Sequence, residues 1–131
     1  MSAIQPPREI VLPWPSRLLH PNTRVHYMPK SRAAKKSKLD AQLVALAAGW
    51  KGIRMGTGRL HVWIDGYPTD KRRRDEDGLL SSLKWALDGI AEVMGIDDSR
   101  FIPHPWIKDS IVKGGEVRIR ITSSPQIIEQ T

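Results

Sequence analysis

Residues 68–100, PTDKRRRDEDGLLSSLKWALDGIAEVMGIDDSR, concentrate the side chains able to do chemistry. Lys71, Arg72, Arg73 and Arg74 run directly into Asp75, Glu76 and Asp77. Lys84 follows seven residues after Asp77, and Asp97 and Asp98 close the stretch. A surface selected for solubility intersperses its charges, whereas a site holding both a phosphate and a divalent metal needs cations beside carboxylates. Hydrolysis of a phosphodiester requires an acidified water and neutralisation of the charge that grows on phosphorus, and bound Mg²⁺ supplies both. Asp75 and Asp77 can face one side of a turn, and Asp97 and Asp98 join them if the intervening helix folds back. Lys84 then lies two helical turns from Asp77, roughly 10 Å along the axis, as a point charge for a transition state or leaving group. The competing reading is structural, because acids at a helix start are also good caps.

Composition narrows the field. A chain of 131 residues has room for one small domain. Its net charge of +7 and pI near 10.1 favour a polyanionic partner. With no cysteine, disulfides, zinc thiolates and thiol nucleophiles are excluded, and any metal must sit on oxygen or imidazole. The first thirty residues contain no apolar run of signal-peptide type, and the longest uncharged stretch, Ala41 to Trp50, is too short to cross a bilayer. The expectation is a cytoplasmic protein with no membrane partner.

The positioning elements follow from periodicity. Glu9 to Leu12 reads as a short edge strand cut off by Pro13 and Pro15, with Trp14 anchoring the exit. Ser16 to Lys30 reads as a loop whose Arg17, Arg24 and Lys30 are candidate phosphate ligands. Ser31 caps a helix to about Ala48, with Leu39, Leu43 and Leu46 as its apolar face and Gly49 as its stop. Arg59 to Tyr67 alternates as a half-buried strand. From Gly78 the apolar spacing becomes helical until Gly95, with Asp77 as the expected cap. Phe101 to Ile111 is a proline-interrupted strand, Lys113 to Gly115 a hairpin turn, and Glu116 to Thr122 a last strand. The predicted class is α+β, a small mixed sheet with two helices on one face in the order β-α-β-α-β-β, and residues 1–8 and 123–131 as flexible tails. His20, His26, His61 and His104 are scattered without ligand spacing, and Trp63 and Trp85 fall in periodic segments that favour packing.

The run RRRDEDGLLSSLKWALDGIAEVMGIDDSRF resembles the signature of the RusA family of Holliday junction resolvases, often encoded by phages and prophages. LPWPS and a basic loop near the N-terminus, and WIKDSIVKGGEVRIRIT with its KGG turn, are similar to the family's opening strand and closing hairpin, so the likeness spans about Glu9 to Thr122. The resemblance implies a homodimer that nicks four-way DNA junctions symmetrically in recombination and repair, using Mg²⁺ or Mn²⁺ and no small-molecule cofactor, in a bacterial or phage-infected cytoplasm. By position, Asp75, Asp77 and Asp98 match the family's catalytic carboxylates, with Asp97 beside them as a metal ligand, and Lys84 matches its lysine through the KxxxD spacing to Asp88. Lys71, Arg72, Arg73, Arg74, Arg17, Arg24, Lys30, Lys108 and Lys113 are the expected DNA contacts. Two departures stand out: Gly78 replaces the usual Asn, and Lys84 lies farther from Asp77 than in the best-known member. A non-catalytic basic DNA-binding protein of phage origin is the alternative.

Overall fold

Alternation of β-branched residues builds the sheet. In the computed structural model, which describes residues 9–23 and 27–123, β1 (Ile10–Pro13), β2 (Leu60–Tyr67), β3 (Phe101–Ile107) and β4 (Glu116–Thr122) form one mixed sheet in the order β1-β4-β2-β3. β4 pairs antiparallel with β1 and β2, placing Ile119 opposite both Ile10 and Ile64, and β2 pairs parallel with β3, Leu60 opposite Phe101. Ile10, Leu12, Leu60, Val62, Ile64, Val117, Ile119 and Ile121 form the core with the helices α1 (Tyr27–Ala47), α2 (Glu76–Ser82) and α3 (Lys84–Met94). The described residues thus make a small α+β fold with three α-helices. None of its described helices is long and apolar enough to cross a membrane.

Four expectations need correction. The helix expected from Ser31 begins at Tyr27 and takes in Pro29 and Lys30, because a proline in the first turn forfeits no intrahelical bond. Its Leu39, Leu43 and Leu46 are 53%, 56% and 46% exposed, while Ala34, Ala41 and Ala45 are buried. The small residues win because α1 presses close to α3: a Cβ added at Gly89 would sit 2.7 Å from the carbonyl oxygen of Lys38. The single helix expected after Gly78 is two, broken at Leu83 (φ −94°, ψ 2°). There the Ser82 hydroxyl donates to the Gly78 carbonyl at 2.8 Å, a back-bond that bends helices.

The closing hairpin is also not a hairpin. β3 ends at Ile107 and pairs with β2, so the turn at Gly114 and Gly115, both at positive φ, carries the chain past β2 to β4. That leaves β3 as an outer strand, and its free edge has no donor to offer. Pro103 and Pro105 carry no N–H, the N–H of Phe101 is bound to the Asp98 carbonyl, and that of Ile107 donates to Glu76 Oε2 at 3.2 Å. Of the tails expected at 1–8 and 123–131, residues 1–8 and 124–131 lie outside the described residues, as does Arg24.

Candidate functional site

The loop between β2 and α2 is tied to its own arginines. Arg74 donates through Nη1 to the carbonyls of Asp70 and Arg72, both at 3.0 Å, bridges to the Asp70 carboxylate at 3.0 Å, and lies over the Trp14 ring at 5.4 Å. The Asp70 carboxylate also accepts the backbone N–H of Arg72 at 2.9 Å. That bond first, and then Arg74, hold its carboxyl below the usual range. Trp14 is pinned in turn over Gly66 and Gly115, where an added Cβ would meet its ring and Cβ at 3.2 and 2.8 Å.

Arg17, from the 3-10 turn at Arg17–Leu19, faces this loop across a cavity of about 620 Å³ shared with His20, Arg72, Arg73 and Asp75. Arg72 has a loose ion pair with Asp70 at 3.5 Å, while Arg17 and Arg73 have no ion-pair partner among the described residues. Asp75, rather than the expected Asp77, caps α2 by accepting the Gly78 N–H at 2.5 Å. Asp77 and Lys71 are exposed. A neighbouring cavity of about 550 Å³ between β1 and α1 is walled by Leu12, Leu18, Pro29 and Leu83 and offers mainly apolar surface.

The second acidic group lies elsewhere. Asp97 caps the 3-10 turn Asp98–Arg100 by accepting the Ser99 N–H at 2.8 Å, a bond that depresses its pKa. Asp98 reaches Asp88 on α3. Burial first, then the hydrogen bond its protonated carboxyl donates to Asp98 and the charge of Asp98, push Asp88 up to about 6, opposed by Lys84 and Lys38. Lys84 is exposed beside Trp85, its Nζ 5.9 Å from that ring centre. Asp98 opens the 3-10 turn that leads into β3 and Glu76 meets the far end of that strand at Ile107, so roughly 20 Å of strand separates the two acidic groups in one protomer. The convergence of Asp75, Asp77, Asp97 and Asp98 on one ion is therefore not found within a single chain. Among the described residues no three acidic or imidazole side chains gather in a metal-holding group.

The other predicted cations are dispersed. Lys108 lies 3.6 Å from the Trp106 ring centre and pairs with Asp65 on the helix-free face of the sheet; Lys113 is exposed in the turn before β4, and Lys30 is in the first turns of α1. On that same face His61, Trp63 and His104 stack, with His61 Nδ1 and His104 Nε2 2.8 Å apart. Their packing accords with the structural reading. Sequence reasoning left Asp88 and His20 out of the site. For Asp88 a signal existed, since Lys84 and Asp88 stand four residues apart on one helix face.

No family model matches the chain. It is 41% identical over 127 residues to a protein of Xylella fastidiosa described only as uncharacterized, a match covering 96% of this chain and 83% of that protein. The chain belongs to that protein's family. Membership spans nearly the whole chain, through the arginine-lined cavity and the Asp88–Asp98 pair alike.

Proposed function

We propose that the chain is a RusA-like, metal-dependent endonuclease of branched DNA. The observation that carries the reading is the arginine-lined cavity bordered by Asp75, where cations outnumber their acidic partners and a phosphate is the natural counter-charge. Hydrolytic capacity is assigned to the acids: Asp88 and Asp98 are close enough to interact through a hydrogen bond, and a pair of carboxylates suits a hard divalent ion. Mg²⁺ or Mn²⁺ held there would acidify water and offset charge on phosphorus. Lys84 adds a positive charge beside the pair, and Arg17, Arg72 and Arg73 draw in and orient the DNA backbone. Asp75 and Asp77 join the same centre only across a homodimer. The uncovered stripe of Leu39, Leu43 and Leu46 on α1 supports such a dimer by offering an apolar face to a second copy.

The test is a synthetic four-way junction incubated with Mg²⁺ or with chelator. Paired, metal-dependent nicks are expected, and mixing inactive Asp77→Asn and Asp98→Asn proteins should restore part of the activity if the centre is shared between protomers. A non-catalytic DNA-binding role is the second reading, favoured by the capping bonds of Asp75 and Asp97. Tight junction binding without any cutting would select it.

A further inference from the structure

His20 follows the 3-10 turn and is half-buried in the wall of the arginine-lined cavity. Its segment is ordered by local bonds: the Thr23 N–H donates to the His20 carbonyl at 3.0 Å, and the Thr23 hydroxyl to the Arg17 carbonyl at 2.5 Å. His20 Nδ1 accepts the N–H of Asn22 at 3.1 Å, which leaves the proton of the neutral ring on Nε2. Nε2 is directed at Gly78. A Cβ built on Gly78 would meet it at 2.6 Å and Oδ1 of Asp75 also at 2.6 Å, so the two atoms lie within twice that distance of each other. Gly78 has no positive φ; the glycine is needed for the space its missing side chain leaves, and the imidazole occupies that space.

We propose that the cavity is a subsite for one phosphate of the bound nucleic acid with its adjoining nucleoside, gripped by His20 Nε2–H and the guanidinium groups of Arg17 and Arg73. This rests on the nucleic-acid part of the proposed function and not on the metal chemistry. A phosphodiester presents two acceptor oxygens, which suit guanidinium forks, and an imidazole N–H near Asp75 keeps a second anion from facing that carboxylate bare. The volume of about 620 Å³ exceeds that of a phosphate alone and lies within the range of nucleotide-sized pockets. Gly78, where Asn is the usual residue of the resembled family, becomes the partner of His20: any side chain at 78 must displace the ring.

The experiment titrates the full chain with the 5′-phosphorylated thymidine dinucleotide pTpT while the imidazole ¹H–¹⁵N resonances are followed, with affinity read by calorimetry. The His20 resonances should shift saturably. Their shift should vanish in Arg73→Ala, and His20→Ala should weaken binding at least about fivefold, the loss of one hydrogen bond to a charged group. Gly78→Asn should weaken binding in the parent chain and move the His20 resonances of the free protein, because its side chain must displace the ring. Unmoved His20 resonances with binding intact, or undiminished binding in His20→Ala, would overturn the subsite. Should Gly78→Asn fail to fold, the Arg17→Ala and Arg73→Ala titrations decide the question by the same shift. A junction that is cut while His20 stays silent sinks this inference alone, whereas a responsive His20 without metal-dependent nicking sinks the nuclease reading and leaves the subsite standing.

Discussion

The helix-free face of the sheet and the cavity beside α2 are built from the same residue types, arginine, histidine and tryptophan, under opposite charge balance. On the sheet, Lys108 pairs with Asp65 at 3.6 Å, Arg118 with Glu116 at 2.6 Å and Arg120 with Glu9 at 3.9 Å, while Tyr67 and Trp106 lie against Arg118 and Lys108. Every one of those cations has an acid of its own. Around the cavity, Asp70 alone answers Arg72 and Arg74, and Arg17 and Arg73 stand without an ion pair among the described residues. A count of arginines cannot separate the two surfaces; a count of their partners does. Only the second leaves a field for a polyanion to neutralise.

Charge reversal gives the largest expected contrast. Replacing Arg17 and Arg73 together by Glu should lower affinity for any DNA at least about tenfold and reduce the slope of log affinity against log salt by about 2. Arg118→Gln on the sheet face should leave affinity within about twofold, and fluorescence anisotropy over a KCl series measures both. Equal losses would erase the distinction between the surfaces.

Packing sharpens it next. Gly66→Ala brings a Cβ to 2.7 Å from Leu79 Cδ2 and 3.2 Å from Trp14, so it should cost about 1–3 kcal/mol in denaturant unfolding and weaken DNA binding by shifting the wall that holds Arg74. Trp63→Phe removes the bond from Nε1 to the Thr122 hydroxyl at 2.9 Å and part of the stack on His104. It should cost about 1 kcal/mol and leave DNA binding untouched.

The smallest effect concerns Asp88. Its carboxyl is pushed up to about 6 in the fold from the ordinary 3.8, so the folded chain holds the proton more tightly than the unfolded one. That contribution favours folding below about pH 4 and is lost as pH rises toward 6. In chelator-containing buffer, Asp88→Asn should therefore flatten the decline of Tm across this window and raise Tm above it. An unchanged slope would show that the Asp88 carboxyl is not raised in the fold.

What the chain announces in advance is alternation. Leu60, Val62 and Ile64, and Val117, Ile119 and Ile121, each read directly as inward faces, and Gly95 does stop α3 in a left-handed turn at φ 75°. The face of α1 was not legible, because apolar scale values rank Leu above Ala, whereas the contact with α3 at Gly89 rewards the smaller side chain. The meeting of acids was hidden for another reason. Spacing along the chain fixes which carboxylates share a turn, as with Asp97 and Asp98, but the run of β3 sets how far they stand from Asp75, and Asp88 takes the place beside Asp98. His20 was invisible because its meaning depends on the absence of a side chain fifty-eight positions later, at Gly78.

The outer margin of β3, with two prolines and every remaining amide already engaged, has a consequence for how copies of this molecule associate. Along that border a neighbouring chain finds no backbone donors to zip onto, so runaway growth into ribbons is blocked there. Association there must be written in side-chain chemistry. Contacts of that kind can be erased by point substitution while the scaffold survives.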